Sequence, residues 1–180
     1  MAKTLQSLID SLVTVTAPPV PVDAIAQKLD IQIVYDRFDE NPDLSGMLVR
    51  DASKNLMIIN ARHAPPRQRF TIAHEIGHFL LDDFKPVWVD HVVGLTQQVR
   101  FRNTNNAAYT QEEVRANKFA AELLMPRTWI AQAFDALNAK GVDWDDEGVI
   151  QQLAKQYNVS YQAMLIRLIE LGLLARSRRL

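Results

Sequence analysis

The chain has 180 residues, 48% hydrophobic and 23% charged, the balance of a soluble globular protein able to bury one core. Lys and Arg number 20 against 21 Asp and Glu, so the formal net charge is -1 and gives no global pull toward nucleic acid or a membrane surface. Cysteine is absent, which excludes a disulfide scaffold and thiolate metal ligands and leaves His and carboxylate as the donors for any metal.

At the start of the chain, Lys3, Gln6 and Asp10 interrupt the apolar residues too early for a signal-peptide core, and no apolar run is long enough to span a bilayer. A cytoplasmic protein without membrane contact is expected. Residues 4–14 place Leu5, Leu8, Ile9, Leu12 and Val13 on one helical face, and Ala17-Pro18-Pro19 stops the pattern. A second short helix starts at Asp23, with Val22, Ile25, Ala26 and Leu29 apolar. Ile31, Ile33 and Tyr35 then alternate with Gln32, Val34 and Asp36, which predicts a strand over residues 31–38 and a loop from Asp39 to Asp43.

Residues 45–50 and 55–60 read as two more strands, joined by Asp51-Ala52-Ser53-Lys54. The expected sheet is small and antiparallel. Met57, Ile58, Ile59 and Asn60 are a candidate edge, able to pair with an extended substrate by main-chain hydrogen bonds. An interior position for the same strand is the alternative.

The hairpin leads through Pro65 and Pro66, which suit a helix entry, into RQRFTIAHEIGHFLL at residues 67–81. Phe70, Ile72, Ala73, Ile76 and Leu80 recur at helical spacing, so His74 and His78 of the HExxH pentapeptide stand one turn apart on one face. Two neutral imidazoles at that spacing fill two sites of a zinc tetrahedron. A carboxylate beside them, Glu75, is the candidate base that takes a proton from water. The plain alternative is a helix whose histidines are ordinary polar residues, but the motif lies on a helix with an apolar flank.

A third protein ligand is needed, and His63, His91, Glu112, Glu113 and Glu122 are the candidates. Phe84 stands where the metzincin pattern requires a third histidine, so that pattern fails. Residues 110–124 form a strong helix closed by Met125-Pro126, with Glu113, Asn117 and Ala120 on one stripe and Ala116 alongside. Small residues there permit close approach to the histidine helix. Glu113, 35 residues after His78 (113 minus 78), then fits the third ligand, and Asn117 the partner that orients a ligating histidine. Thr110 and Glu113 also make a capping box, and Glu112 or Glu122 are the other carboxylates in reach. Arg102 and Tyr109, in the segment leading into this helix, are candidate oxyanion donors; a solvated Arg and a packed Tyr are the plain alternatives. Arg67 and Arg69 are expected in structural ion pairs.

Beyond Pro126, a helix reaching Ala139 ends near Gly141, and another begins at Trp144. Residues 153–168 have a helix-turn-helix flavour, with Ser160 as the cap of the second helix. From Gly148 on, five basic residues (Lys155, Arg167, Arg176, Arg178, Arg179) against one acid (Glu170) leave +4. Direct DNA binding is one reading. Ala163, Leu165, Ile166 and Leu168 crowd the second helix with apolar groups, which favours a helical hairpin packed on the core.

The stretch RQRFTIAHEIGHFLL, followed by EVRANKFAAELLMP, resembles the ImmA/IrrE-type metallopeptidases, bacterial and phage proteins with a thermolysin-like zinc-peptidase core. The resemblance covers residues 45–126 and extends toward the rest of the chain. It implies His74, His78 and Glu113 as ligands, Glu75 as acid and base, and a helix-turn-helix (XRE-type) repressor as the substrate, cleaved to relieve repression. Such proteins are often encoded beside that regulator, in mobile elements, stress-response loci or toxin-antitoxin-like pairs.

The expectation is therefore a single α+β, zincin-like domain over residues 1–180, with N-terminal helices and strand at 1–44, a catalytic core at 45–126 and a helical region at 127–180. One Zn2+ per chain is expected, with Mn2+ the alternative for the same donors. The rival reading is a non-catalytic regulator-binding or DNA-binding module with a structural or vestigial metal site.

Overall fold

A computed structural model describes residues 5–50, 54–82, 87–90 and 111–175 of the chain, the strand at 87–90 by its backbone. These hold seven helices and four strands in a mixed α+β arrangement. In chain order they are α1 (Leu5–Leu12), α2 (Val22–Lys28), β1 (Ile31–Asp36), β2 (Gly46–Arg50), β3 (Asn55–Asn60), α3 (Pro65–Leu81), β4 (Val87–Asp90), α4 (Gln111–Leu124), α5 (Arg127–Asn138), α6 (Glu147–Tyr157) and α7 (Tyr161–Glu170). No helix among the described residues is long and apolar enough to cross a membrane.

The sheet runs β1-β3-β2-β4. β2 pairs antiparallel with β3 and with β4, but β1 runs parallel to β3, so the sheet is mixed where the sequence suggested an antiparallel one. β3 fills the slot between two strands that precede it. Met57, Ile58, Ile59 and Asn60 therefore do not form an edge: their main chain is paired with β1 on one side and β2 on the other. The side chains agree with this placement. Met57 and Ile59 are fully buried, and the Asn60 amide donates to Leu44 O at 2.7 Å while its oxygen accepts from Arg62 N at 2.9 Å, closing the end of the strand. Among the described strands the edges are β1 and β4.

α3 begins at Pro65, two residues before the periodic apolar pattern, because a first-turn residue needs no intrahelical N–H partner. Phe70 through His78 are all buried, so this helix is enclosed on every side, by the sheet, α2 and α4. Arg69 anchors it by donating to Val20 O at 2.7 Å, with the charge of Asp23 nearby, and Arg67 donates to Ser45 Oγ at 3.0 Å, with that of Asp43 nearby.

The C-terminal helices pack on the core. Asn158 takes the left-handed conformation (φ 52°) that ends α6, and Ser160 Oγ accepts from Ala163 N at 3.1 Å to start α7. Residues 163–168 of α7 are buried. Among them Arg167 is ion-paired with Glu122 of α4 and donates from Nε to Met125 O at 3.0 Å.

Candidate metal centre

The site is built where α3 and α4 meet. Helical periodicity puts His74 and His78 on one face of α3, and Gly77 between them lets α4 come close. A Cβ on Gly77 would lie 3.1 Å from Ala116 Cα and 3.2 Å from Phe119 Cδ1, so no larger residue fits without moving α4. At that separation Glu113 reaches both rings. His74 Nε2 lies 3.3 Å from Glu113 Oε2, His78 Nε2 lies 3.2 Å from Oε1, and the two Nε2 atoms are 2.9 Å apart.

The far side of each ring is also engaged. His74 Nδ1–H donates to Asn117 Oδ1 at 3.1 Å, and His78 Nδ1–H donates to Asp82 Oδ2 at 2.6 Å. Amide oxygens and carboxylates only accept, so each ring keeps a proton on Nδ1 and turns Nε2 into the group, where it donates to Glu113 while the ring is protonated and offers a lone pair to a metal once the ring is neutral. Ligands about 2 Å from one ion stand about 3.3 Å apart in a tetrahedron. The measured separations of 2.9 to 3.3 Å, with donors of imidazole and carboxylate type, fit a divalent cation, and His74, His78 and Glu113 can hold one.

Both histidine side chains are fully buried, while Glu113 keeps 22% of its side-chain surface exposed. Burial raises the Glu113 carboxyl, but hydrogen bonds and charge from His74 and His78 outweigh that and hold it at about 2, against an ordinary 4.5. It is an anion at any working pH. Glu75 is buried beside His74 in sequence, and its carboxylate lies against the start of β2, where a Cβ on Gly46 would sit 3.4 Å from Oε1 and 2.6 Å from Thr71 Cγ2.

Of the other candidate ligands, Glu122 is committed to Arg167, and its Oε1 accepts from Arg127 N at 3.2 Å. His63 lies in the turn before α3, where its backbone N–H donates to Asn60 O at 3.2 Å; it and Glu112 fall outside the donor group. Arg102, Tyr109, Thr110 and His91 lie outside the described residues, and so does the capping box that needs Thr110. The sequence reading missed Asp82. A carboxylate four residues after the second histidine, one more turn along the same face, was the available signal.

Two imidazoles and a carboxylate on packed helices beside a small mixed sheet are the equipment of the metallopeptidase class. The comparisons agree. The model of a peptidase family described as the IrrE N-terminal-like domain matches residues 26–169, and the chain belongs to that family. The radiation response metalloprotease IrrE of Deinococcus radiodurans is 31% identical over 122 residues, covering 67% of this chain and 32% of that relative. The chain thus spans about a third of the length of that curated relative. A Mycobacterium tuberculosis transcriptional regulator shares the fold at a TM-score of 0.53 and 16% identity, over 97% of this chain and 47% of that one.

Proposed function

We propose that this protein is a zinc-dependent endopeptidase with a zincin-like core, acting in the cytoplasm on a partner helix-turn-helix repressor whose cleavage relieves repression. The observation that carries the metal-dependent reading is the convergence of two Nε2 atoms and the Glu113 carboxylate, with both Nδ1 atoms committed to acceptors. In the proposed reaction His74, His78 and Glu113 hold the ion, and Asn117 orients His74. Zinc bound there supplies Lewis acidity and brings the pKa of water to about 7; manganese suits the same donors.

Glu75 does the proton work. It accepts a proton from the attacking water and returns it to the leaving amine as the C–N bond breaks, so one water is consumed and no other reactant is needed. Arg102 and Tyr109 are the proposed donors to the developing oxyanion. With β3 interior, the edge beside Glu75 among the described strands is β4, because Gly46, against which Glu75 packs, pairs with Asp90. An extended substrate would add to β4 by main-chain hydrogen bonds. The regulator as substrate is supported by the family, by the response named for the Deinococcus relative, and by burial of residues 163–168, which draws α7 away from a DNA-reading role.

The test starts with elemental analysis of the purified protein. About one zinc per chain is expected in wild type and in Glu75→Gln, with strong loss in Glu113→Ala. Incubation with a helix-turn-helix regulator, taken from the neighbouring gene where one is encoded there, should then give a single cleavage by wild type, slowed about a hundredfold to ten-thousandfold in Glu75→Gln. Absence of divalent metal from wild type even when supplied in excess ends the peptidase reading. Bound metal with uncleaved but bound regulator would establish the non-catalytic alternative.

A further inference from the structure

The two histidines are held by different partners. His74 donates to the neutral amide oxygen of Asn117 at 3.1 Å, whereas His78 donates to the carboxylate of Asp82 at 2.6 Å. Asp82 caps α3: its backbone N–H returns to His78 O at 3.3 Å, and its side chain is only 1% exposed. The other carboxylate oxygen, Oδ1, accepts from the Arg115 guanidinium at 2.6 Å. Arg115 lies two residues beyond Glu113 on α4 and is 52% exposed. One buried carboxylate therefore ties a donor ring of α3 to the turn of α4 that delivers the third donor. A buried anion facing only a neutral ring would be costly, and the guanidinium supplies the compensating charge.

We infer that Asp82 and Arg115 are positioning residues of the metal centre, an inference that rests on the metal-site reading above. Asp82 fixes His78 in the tautomer that offers Nε2, and its charge makes that nitrogen a stronger donor than its counterpart on His74. Arg115 acts through Asp82. It holds the carboxylate in line with the ring and keeps the first turn of α4 against the end of α3. A cap alone would need neither the guanidinium contact nor the short bond to the ring.

The experiment measures zinc affinity by competition with a chromogenic chelator, and the visible spectrum after cobalt(II) loading, for the full chain and for Asp82→Asn, Arg115→Gln and the double variant. Asp82→Asn should weaken zinc binding by about ten- to hundredfold and shift the cobalt bands. Arg115→Gln should weaken it by a smaller factor, and add nothing once Asp82 is Asn. Arg115 is half exposed, so its variant folds and decides the matter should Asp82→Asn be too unstable to purify. Wild-type affinity in either single variant, or an equal Arg115→Gln effect in both backgrounds, overturns the inference. Failure of the wild-type chain to bind zinc or cobalt overturns the metal-site reading itself, a distinguishable result.

Discussion

At the residue scale, the donor group shows how neighbours decide what a side chain offers. Glu113 is 22% exposed yet held at about 2 by the two rings it faces. A carboxyl whose folded value lies below its unfolded 4.5 adds stability that is fully present above 4.5 and disappears as the pH falls through about 2. In the metal-free protein, the stability difference between wild type and Glu113→Gln should therefore shrink on acidification across that window, as measured by urea unfolding at a series of pH values. The HExxH spacing alone makes His74, Glu75 and His78 legible as a site. Asp82 carries only its spacing, four residues after His78, and a lone acid after a helix reads as an ordinary solvated residue until a ring nitrogen is found 2.6 Å from it.

The two glycines beside the site belong to the scale of elements. Gly77 sets the distance between α3 and α4, with Ala116 backbone atoms 3.1 and 3.3 Å from where a Cβ would stand. Gly77→Val should destabilise the protein by about 1–3 kcal/mol and weaken metal binding as well, since Glu113 moves with α4; thermal unfolding and metal titration report the two effects. Gly46 sets the distance between α3 and β2, its clash being with a single methyl, Thr71 Cγ2, at 2.6 Å. Gly46→Ala should likewise cost about 1–3 kcal/mol, largely restored by Thr71→Ser, which removes that methyl and keeps the hydroxyl bonded to Arg67 O. Helices were readable because their signals are local: apolar spacing, Pro65 and Pro126 at the starts, Ser160 as a cap. Sheet order was not, since alternation marks a strand without naming its neighbour. The apolar run Leu56-Met57-Ile58-Ile59 marks a covered strand, with Met57 and Ile59 fully buried and Leu56 and Ile58 half-buried.

At the scale of the whole molecule, the C-terminal hairpin and the donor helices are joined through the buried Arg167–Glu122 pair. Arg167→Met should destabilise by about 3–5 kcal/mol, because it strands Glu122, and Glu122→Leu added to it should recover much of the loss; chemical denaturation separates the two. The basic character of the last 33 residues (148 to 180) suggested two fates for α7, and charge counts cannot distinguish an Arg that faces solvent from one enclosed at 4% exposure.

The position of β3 also bears on how the chain is assembled during synthesis. Every strand pair among the described residues involves β3 or β4, so β1 and β2 gain those partners only after the first 54 residues have emerged. β3 ends at Asn60 and α3 starts at Pro65, so the sheet gains its centre just before the helix bearing both histidines is made. The third donor arrives only with α4, which begins at Gln111. A ribosome-bound chain stopped short of that helix holds half a site, and competence to take up metal is a late event in the protein's birth.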